Sequence, residues 1–385
     1  MAKRVVSNMA CADKKSMSVG HTICVSNEGF LYSFGKSEYQ AHGHKDKGVV
    51  SPKQIPLLNN IESVCCGSHH TICLNTDGQV FTFGCCDRLG VGIIRKTKYL
   101  QTKELLYTHK PQKVELPPIK QISCGIGFSI CLSEDGTLYS FGDNAYGQLG
   151  IGNTVLCSTP QKIDLSSKVE FVECGAYHVF CKVEKNTILV WGRNNYGQLG
   201  LGHSETQYSP IQCEDVPDDI VDIKCGNEHT LLLTSNQEVY SCGTTVDWKV
   251  DESSSVFQQI LDLSNIIRIE CGESHSMCID INNDLFIFGD SLYGQLGRVM
   301  KSKTKYKKHP KLSNIMDISK GGMQTFIKTF DNKIYAFGKN EFSQLGIKTK
   351  DYKKSKPIRV FKDNEDIWYT SKKSSGKSAR FLPDS

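Results

Sequence analysis

Histidine and cysteine are the side chains in this sequence with the widest chemical use. Histidine can act as an acid, a base or a metal ligand, and cysteine as a nucleophile or a zinc ligand. The chain has 11 histidines and 17 cysteines. It has no His-Glu-x-x-His, Cys-x-x-Cys, Gly-x-Ser-x-Gly or Gly-x-x-x-x-Gly-Lys-Ser/Thr sequence. We therefore predict no enzyme, no catalytic residue, no metal site and no cofactor.

The histidines mark a repeat instead of a cluster. Seven residues each lie 14 positions before a glycine: His21, His70, Phe128, His178, His229, His275 and Gln324 precede Gly35, Gly84, Gly142, Gly192, Gly243, Gly289 and Gly338. Successive copies lie 46 to 58 residues apart, a period that predicts one supersecondary unit per copy. We expect the repeated His and Thr residues to satisfy backbone groups at a turn.

Each unit is predicted to contain four β-strands. An apolar strand follows the histidine, and a strand with alternating aromatic residues, such as Phe81 and Phe83, leads to the glycine. Between them lie turn pairs such as Asp77-Gly78, whose second residue tolerates positive φ. The histidine is preceded by one further strand, and a Tyr-Gly-Gln-Leu-Gly segment is followed by another. The fold class is therefore all-β, a seven-bladed β-propeller of four-stranded antiparallel blades.

This propeller is predicted to occupy residues 1–385 as a single domain. The repeats are centred near residues 17–46, 62–92, 121–152, 171–202, 222–250, 268–297 and 317–347. Residues 357–385 are expected to return beside the first blade and close the ring, which removes exposed sheet edges.

The repeated motif resembles that of the regulator of chromosome condensation family. The motif reads Cys-Gly-x-x-His-Thr, then Phe-Gly-x-Asn-x-Tyr-Gly-Gln-Leu-Gly-x-Gly, and the resemblance extends over residues 17–362. It implies a seven-bladed propeller. The family's founding member is a nucleotide exchange factor for the small GTPase Ran and binds chromatin, whereas many relatives are scaffolds or parts of larger enzymes. Fold alone therefore does not decide the function.

The cysteines are predicted to be buried hydrophobic residues of the core. Ten of them recur at two repeat positions, four residues before and three residues after the histidine position. Free thiols are typical of a reducing compartment, so we expect an intracellular protein, cytoplasmic or nuclear or both. No apolar run is long enough for a membrane span. We expect a monomer.

Antiparallel order places two sets of connections on one face of the ring. These are the Gly-x-x-His turns and the Tyr-Gly-Gln-Leu-Gly loops, and we call their side the histidine face. The opposite side carries the turns of the Asp77-Gly78 type, and we call it the hairpin face. Two adjacent turns on the histidine face hold acids, Glu228 beside His229 and Glu273 beside His275.

The family resemblance adds a possible role for these turns. In the Ran exchange factor, acids and a histidine in such turns contact the GTPase, and one blade carries a protruding wedge. The interrupted blade here is the fifth, where Asp247 and Trp248 replace the expected loop. The partner-binding candidates are therefore Glu228, His229, Glu273, His275, Asp247 and Trp248. The alternative interpretation makes the two glutamates ordinary surface acids and Trp248 a plug over its blade.

Lysines concentrate in two stretches of a chain whose net charge is +5. Residues 298–311 contain no acid, and residues 348–362 contain Asp351 alone. The candidates for a basic surface on the histidine face are Lys301, Lys303, Lys305, Lys307, Lys308, Lys353, Lys354 and Lys356. Such stretches suit nucleic acid, acidic proteins or anionic lipid, although a solvated lysine loop is an equal alternative.

Three functions follow from these features. The first is a non-catalytic protein–protein interaction platform. The second is guanine nucleotide exchange on a Ran-like small GTPase, which needs no covalent chemistry. The third, weaker hypothesis is binding of chromatin or DNA through the lysine-rich loops.

Overall fold

A computed structural model of the chain shows a seven-bladed β-propeller. The structure describes residues 5–7, 20–26, 28–37, 39–46, 48–92, 107–244, 253–298, 306, 308–319, 321–349 and 351–360. Along the chain, each blade adds its strands side by side in antiparallel order. The first strand of each blade contacts that of a neighbouring blade at the centre of the ring.

The first four blades have four strands each. Blade one contains β1 (Val5–Ser7), β2 (Gly20–Val25), β3 (Leu31–Lys36) and β4 (Gly48–Gln54). Blade two contains β5 (Ile61–Cys66), β6 (His70–Asn75), β7 (Val80–Cys85) and β8 (Tyr107–Val114). Blade three contains β9 (Ile119–Cys124), β10 (Phe128–Ser133), β11 (Leu138–Gly142) and β12 (Cys157–Ile163). Blade four contains β13 (Val169–Cys174), β14 (His178–Val183), β15 (Thr187–Gly192) and β16 (Gln207–Gln212).

The remaining blades follow the same order. Blade five contains β17 (Ile220–Cys225), β18 (His229–Thr234), β19 (Val239–Gly243) and β20 (Ser254–Gln259). Blade six contains β21 (Ile266–Cys271), β22 (His275–Asp280) and β23 (Leu285–Gly289), with one bridge between Phe286 and Lys308 in place of a described fourth strand. Blade seven contains β24 (Ile315–Ser319), β25 (Gln324–Thr329), β26 (Ile334–Lys339) and β27 (Lys353–Val360). Two short 3₁₀ helices occupy Cys86–Arg88 and Glu184–Asn186.

The tight turns of the hairpin face behave as predicted. The second residue of all seven turns has positive φ: Gly29, Gly78, Gly136, Asn186, Gln237, Asn283 and Asn332. Gln237 adopts φ +65° although its residue type does not favour this region. The hairpin between two well-packed strands therefore imposes the turn geometry even where the sequence preference is weak.

Among the described residues the core contains seven large apolar clusters and one small one, each shared by two neighbouring blades. One of these clusters joins blade one to blade seven, where Phe34 packs near Phe326 with ring centroids 6.3 Å apart. The ten cysteines at the two repeat positions are buried in the core, as predicted. Burying such surface between blades is the main stabilising contribution to a closed ring.

The ring-closing prediction for residues 357–385 stays a prediction over most of that segment. Blade one contains four described strands, and its innermost strand is β1, near the start of the chain, which pairs with β2. Residues 357–360 instead belong to β27, the outermost strand of blade seven. Residues 361–385 lie outside the described residues. Local sequence preference cannot identify the chain end that supplies a strand, and β1 is only three residues long.

Blade four shows how the interfaces are held together. Blades one, two, five and seven use a hydroxyl that donates to a carbonyl of the preceding blade in the ring, as Thr230 donates to Gln198 over 2.9 Å. Blade four has Val179 at that position, and the indole nitrogen of Trp191 donates to the Gln148 carbonyl instead, over 3.0 Å. Trp191 is fully buried, so its donor satisfies a carbonyl that water cannot reach.

We expect Trp191→Phe to lower the free energy of unfolding by about 2 kcal/mol, because the Gln148 carbonyl loses a buried donor and the core loses volume. Adding Val179→Thr should recover about 1 kcal/mol, since the new hydroxyl occupies the position of the donor in blade five. Urea denaturation of both variants measures the difference. A double variant no more stable than Trp191→Phe would contradict this exchange of donors.

Candidate functional site

The turns of the histidine face have one shared geometry. In blade four, β13 ends at Cys174, the turn occupies residues 175–177, and β14 begins with His178 opposite Gly192. Gly192 has φ +99°, and a Cβ there would lie 2.3 Å from the Tyr177 carbonyl oxygen, so only glycine fits. The 14-residue spacing is thus the length of the hairpin formed by the second and third strands of a blade. This hairpin places the start of the second strand, and so the Gly-x-x-His turn before it, against the repeat glycine.

The repeated histidines join adjacent blades. The Nε2 atom of each hydrogen bonds to a hydroxyl of the next blade: His21 to Thr71, His70 to Ser129, His178 to Thr230, His229 to Ser276 and His275 to Thr325, over 2.8–3.4 Å. Thr71, Thr230 and Thr325 donate their own protons to carbonyls of the preceding blade. The histidine Nε2–H is therefore the donor in those three pairs.

A second set of contacts runs around the centre of the face through backbone groups. In blades two to six, the residue after the glycine of the turn donates its N–H to the neighbouring turn: Ser68 to Ile126, Ile126 to Ala176, Ala176 to Gly226, Asn227 to Glu273 and Glu273 to Gly322, over 2.9–3.1 Å. These bonds link each blade to the next, from blade two through to blade seven. The second turn residue is thus held against the next blade, whereas the third residue is nearer to the surface.

Glu228 is the third residue of its turn and is partly exposed. Its carboxylate lies 3.3 Å from the Arg193 guanidinium, and both side chains retain about a fifth of their exposure. The guanidinium also lies over three tyrosine rings, those of Tyr146, Tyr177 and Tyr196, at 5.2–6.0 Å. Burial raises the pKa of Glu228, and Arg193 opposes that shift. We call these five residues the tyrosine–arginine cluster.

Glu273 is the second residue of its turn and is fully buried. Neither carboxyl oxygen has a hydrogen-bond partner among the described residues. Burial raises its pKa to about 8; Lys339 lowers it, whereas Asp290 and Glu228 raise it further. A buried carboxyl with so few partners is costly to ionise, and such groups concentrate at functional sites.

The two histidines predicted as partner contacts are not on the surface. His229 and His275 are buried, and each bonds to a hydroxyl of the next blade over 2.9 Å and 2.8 Å. Burial lowers the pKa of His275 to about 3, so its ring is neutral. A partner on this face would meet Glu228 first, whereas Glu273, His229 and His275 lie beneath the surface. Asp247 and Trp248 lie outside the described residues.

The basic candidates that the structure describes do not form one patch on the histidine face. Lys301, Lys303, Lys305 and Lys307 lie outside the described residues. Lys308 bridges to Phe286 near the hairpin end of β23 and pairs with Asp284. Lys353, Lys354 and Lys356 lie on β27, the outer strand of blade seven. Lys354 pairs with Asp351, Lys353 donates to the Leu292 carbonyl over 3.2 Å, and Lys356 is exposed.

Sequence reasoning missed Arg193 and the tyrosines around it. The residue that follows the repeat glycine lies beside the turn, and in blade seven it is Lys339, whose Nζ lies 5.2 Å and 5.6 Å from the ring centroids of Tyr293 and Phe342. A cation at this position next to an aromatic residue of the Tyr-Gly-Gln-Leu-Gly loop was a readable signal. The repeat motif drew attention away from it because the position varies between copies.

Within the described ranges, no group of three or more histidine, cysteine, aspartate or glutamate residues could hold a metal ion. No helix in that part of the chain has the length and apolar character needed to cross a membrane.

The chain is similar to several known proteins. A family model described as the RCC1-like domain matches residues 2–247. Protein RCC2 of Homo sapiens is 29% identical over 245 residues, which is 62% of this chain and 39% of that protein. The human X-linked retinitis pigmentosa GTPase regulator is 36% identical over 244 residues, covering 61% of this chain and 22% of that protein. These matches thus span well under half the length of either relative.

Solved structures agree on the fold. Human WBSCR16 superposes with a TM-score of 0.73 at 20% identity, covering 86% of this chain and 93% of that one. Prp20p from Saccharomyces cerevisiae superposes with a TM-score of 0.74 at 19% identity, covering 88% and 87%. At this level of identity the likeness shows the fold alone. Together with the matched family model, the seven-bladed ring shows that the chain belongs to the RCC1-like domain family.

Proposed function

We propose that this chain is a non-catalytic interaction platform that binds a protein through its histidine face. The observation that carries the proposal is the tyrosine–arginine cluster, in which Arg193, Glu228 and three tyrosines meet on one part of that face. Arginine and tyrosine are the residues that most often dominate binding energy at protein interfaces. Arg193 and Glu228 are already mostly removed from water, so covering them with a partner costs less than burying two fully hydrated charges.

Charge-neutral variants of the cluster test this proposal. The chain is used as bait for quantitative affinity purification, unchanged and as Glu228→Gln with Arg193→Gln. Lys333→Gln serves as the control, because Lys333 pairs with Asp331 in a turn of the hairpin face. We expect the double variant to lose at least one protein that both other baits retain. Identical recovery by all three baits would contradict binding at the cluster.

The alternative function is guanine nucleotide exchange on a Ran-like small GTPase. One relative is named a GTPase regulator, and the structure of Prp20p was reported with its binding to Gsp1p and histones. A protein that binds the nucleotide-free GTPase more tightly must weaken nucleotide binding by the same factor. Glu228 supports this alternative because its carboxylate is the accessible acid among the described members of the predicted contact set.

Release of a fluorescent guanine nucleotide from Ran, with and without this chain, tests the alternative. If the chain is an exchange factor, release accelerates at least about tenfold, and Glu228→Gln removes most of that acceleration. Acceleration that is unchanged in Glu228→Gln would reject the carboxylate as the contact. No acceleration by the intact chain would reject exchange on Ran and leave the interaction platform.

Chromatin or DNA binding through the lysines has weaker support. Lys308 and Lys354 each pair with an aspartate, so they are partly neutralised already. Binding carried by lysine–phosphate contacts would fall steeply as salt increases, and a retardation assay at two salt concentrations measures this. We also propose that the chain acts as a monomer in the cytoplasm, the nucleus or both. Cysteines that serve as buried core residues suit such a reducing compartment.

A further inference from the structure

The hairpin face carries apolar residues in three adjacent blades. The second residue of the innermost strand is Val221 in blade five, Ile267 in blade six and Met316 in blade seven, and all three are 37–47% exposed. The same position holds Glu62, Lys120 and Glu170 in blades two, three and four. The position is therefore open to water, and its change from charged to apolar is specific to one side of the ring.

A second repeated position shows the same change. The residue after the second strand donates its N–H to the carbonyl of the residue before the first strand. This residue is Thr76 in blade two and Glu134 in blade three. It is Ile281 in blade six and Phe330 in blade seven. Ile281 and Phe330 are 57% and 58% exposed.

The five apolar residues occupy equivalent positions of adjacent blades, and β17, which carries Val221, contacts β21, which carries Ile267. Ile281 donates to Asn265, two residues before Ile267, and Phe330 donates to Asn314, two residues before Met316. Blades six and seven are joined at this point, because the N–H of Ile315 donates to the Asn283 carbonyl over 2.9 Å. We call Val221, Ile267, Ile281, Met316 and Phe330 the apolar rim. An exposed apolar group of this kind marks a docking surface.

The end of β27 indicates what covers the rim. Its last residue, Val360, pairs with Ile334, the first residue of β26. Ile334 follows directly on the turn that begins with Phe330. The chain therefore leaves blade seven on the hairpin face, within the blade that supplies Phe330 and Met316.

We propose that the segment 361–385 docks on the apolar rim through Ile367, Trp368 and Tyr369. These residues follow Val360 by seven to nine positions, and an extended chain covers about 20–30 Å over that length. This reach spans neighbouring blades, and the tether holds the segment near the rim at a high effective concentration. The three large apolar side chains match the chemistry of the rim, and the proposal is independent of any partner on the histidine face.

Quenching of Trp368 fluorescence tests the docking in the full chain. The sequence has three tryptophans, of which Trp191 is buried, and Trp248→Phe is placed in every protein so that Trp368 reports alone on quenching by acrylamide. We expect the Trp368 quenching constant to rise about threefold in Phe330→Asp, because the docked indole becomes hydrated. Ile267→Glu, which gives blade six the residue type found in blades two and four, should act the same way.

Thr76→Asp is the matched control, since it places a carboxylate at the Phe330-equivalent position of blade two. It should leave Trp368 as protected as in the parent protein. The proposal is overturned if Trp368 is quenched equally in the parent, Phe330→Asp and Ile267→Glu proteins. It is also overturned if sedimentation shows a dimer that Phe330→Asp dissociates, because a second copy would then cover the rim.

Discussion

Replacing Glu273 by glutamine is expected to raise the free energy of unfolding by about 2–5 kcal/mol at pH 9 and to change it little below pH 4.5. The carboxyl is fully buried, and its pKa rises from the ordinary 4.5 to about 8. Each unit of pKa difference corresponds to about 1.4 kcal/mol. The folded chain thus binds this proton more tightly than the unfolded chain. Its stabilising contribution is complete below pH 4.5 and is lost as the pH rises through 8.

Chemical denaturation of both proteins between pH 4 and pH 9, under reducing conditions, measures the effect. The difference between the two proteins is the informative quantity, because the buried histidines reduce stability at low pH in both. Glu134→Gln, in an exposed turn of blade three, is the control and should show no difference across this range. A Glu273→Gln protein that is equally stable or less stable at pH 9 would show that the carboxylate has a stabilising partner.

The expected cost of ionising Glu273 indicates a role in function. Asp290 and Glu228 increase the cost of its ionisation, and Lys339 alone opposes them. Chains keep destabilising polar groups mainly where function requires them. Under the proposed function, a partner that places a cation above the turn would favour the ionised form. Binding would then release a proton near neutral pH.

The second large effect concerns Arg193. We expect Arg193→Lys to weaken binding of a partner recovered through the tyrosine–arginine cluster by at least about tenfold, or 1.4 kcal/mol. Lysine keeps the charge but loses the planar group that lies over three tyrosines and pairs with Glu228. Affinity is measured by titration of the purified partner.

A matched substitution separates this effect from a general change of charge. Lys333→Arg exchanges the same two residue types on the hairpin face and should leave the affinity unchanged. Thermal melting of both variants should stay close to that of the parent, because Arg193 and Lys333 are partly exposed. Equal affinity of the parent and Arg193→Lys would mean that the cluster only supports the loops of the face.

The sequence predicted the fold well because hairpin geometry fixes spacing. His178 lies opposite Gly192, and a side chain at Gly192 would collide with a backbone carbonyl. This constraint acts in every blade, so it is visible as a 14-residue period. The histidine's role was only partly predictable, because its hydrogen-bond partner lies about 50 residues away in the next blade. The change from histidine to Phe128 and from hydroxyl to Val179 was the available signal of that pairing.

The site was predicted less well because one position in a turn decides burial. Glu228 is the third residue of its turn and is partly exposed, whereas Glu273 is the second residue and is buried. Second positions elsewhere are Ser68, Ile126 and Ala176, none of them charged. That pattern of uncharged residues could have indicated an interior position. The motif alone treats both glutamates as members of equivalent turns.

Hydrogen-exchange mapping of the chain, alone and with a partner recovered by the affinity purification, tests the central claim most directly. Binding through the histidine face predicts slower exchange in the turns at residues 175–178 and 226–229 and in the loops that contain Tyr146 and Tyr196. The hairpin turns, such as the one that contains Lys333, should be unaffected. Protection confined to the hairpin turns or to outer strands such as β27 would contradict the assignment of the histidine face as the binding surface.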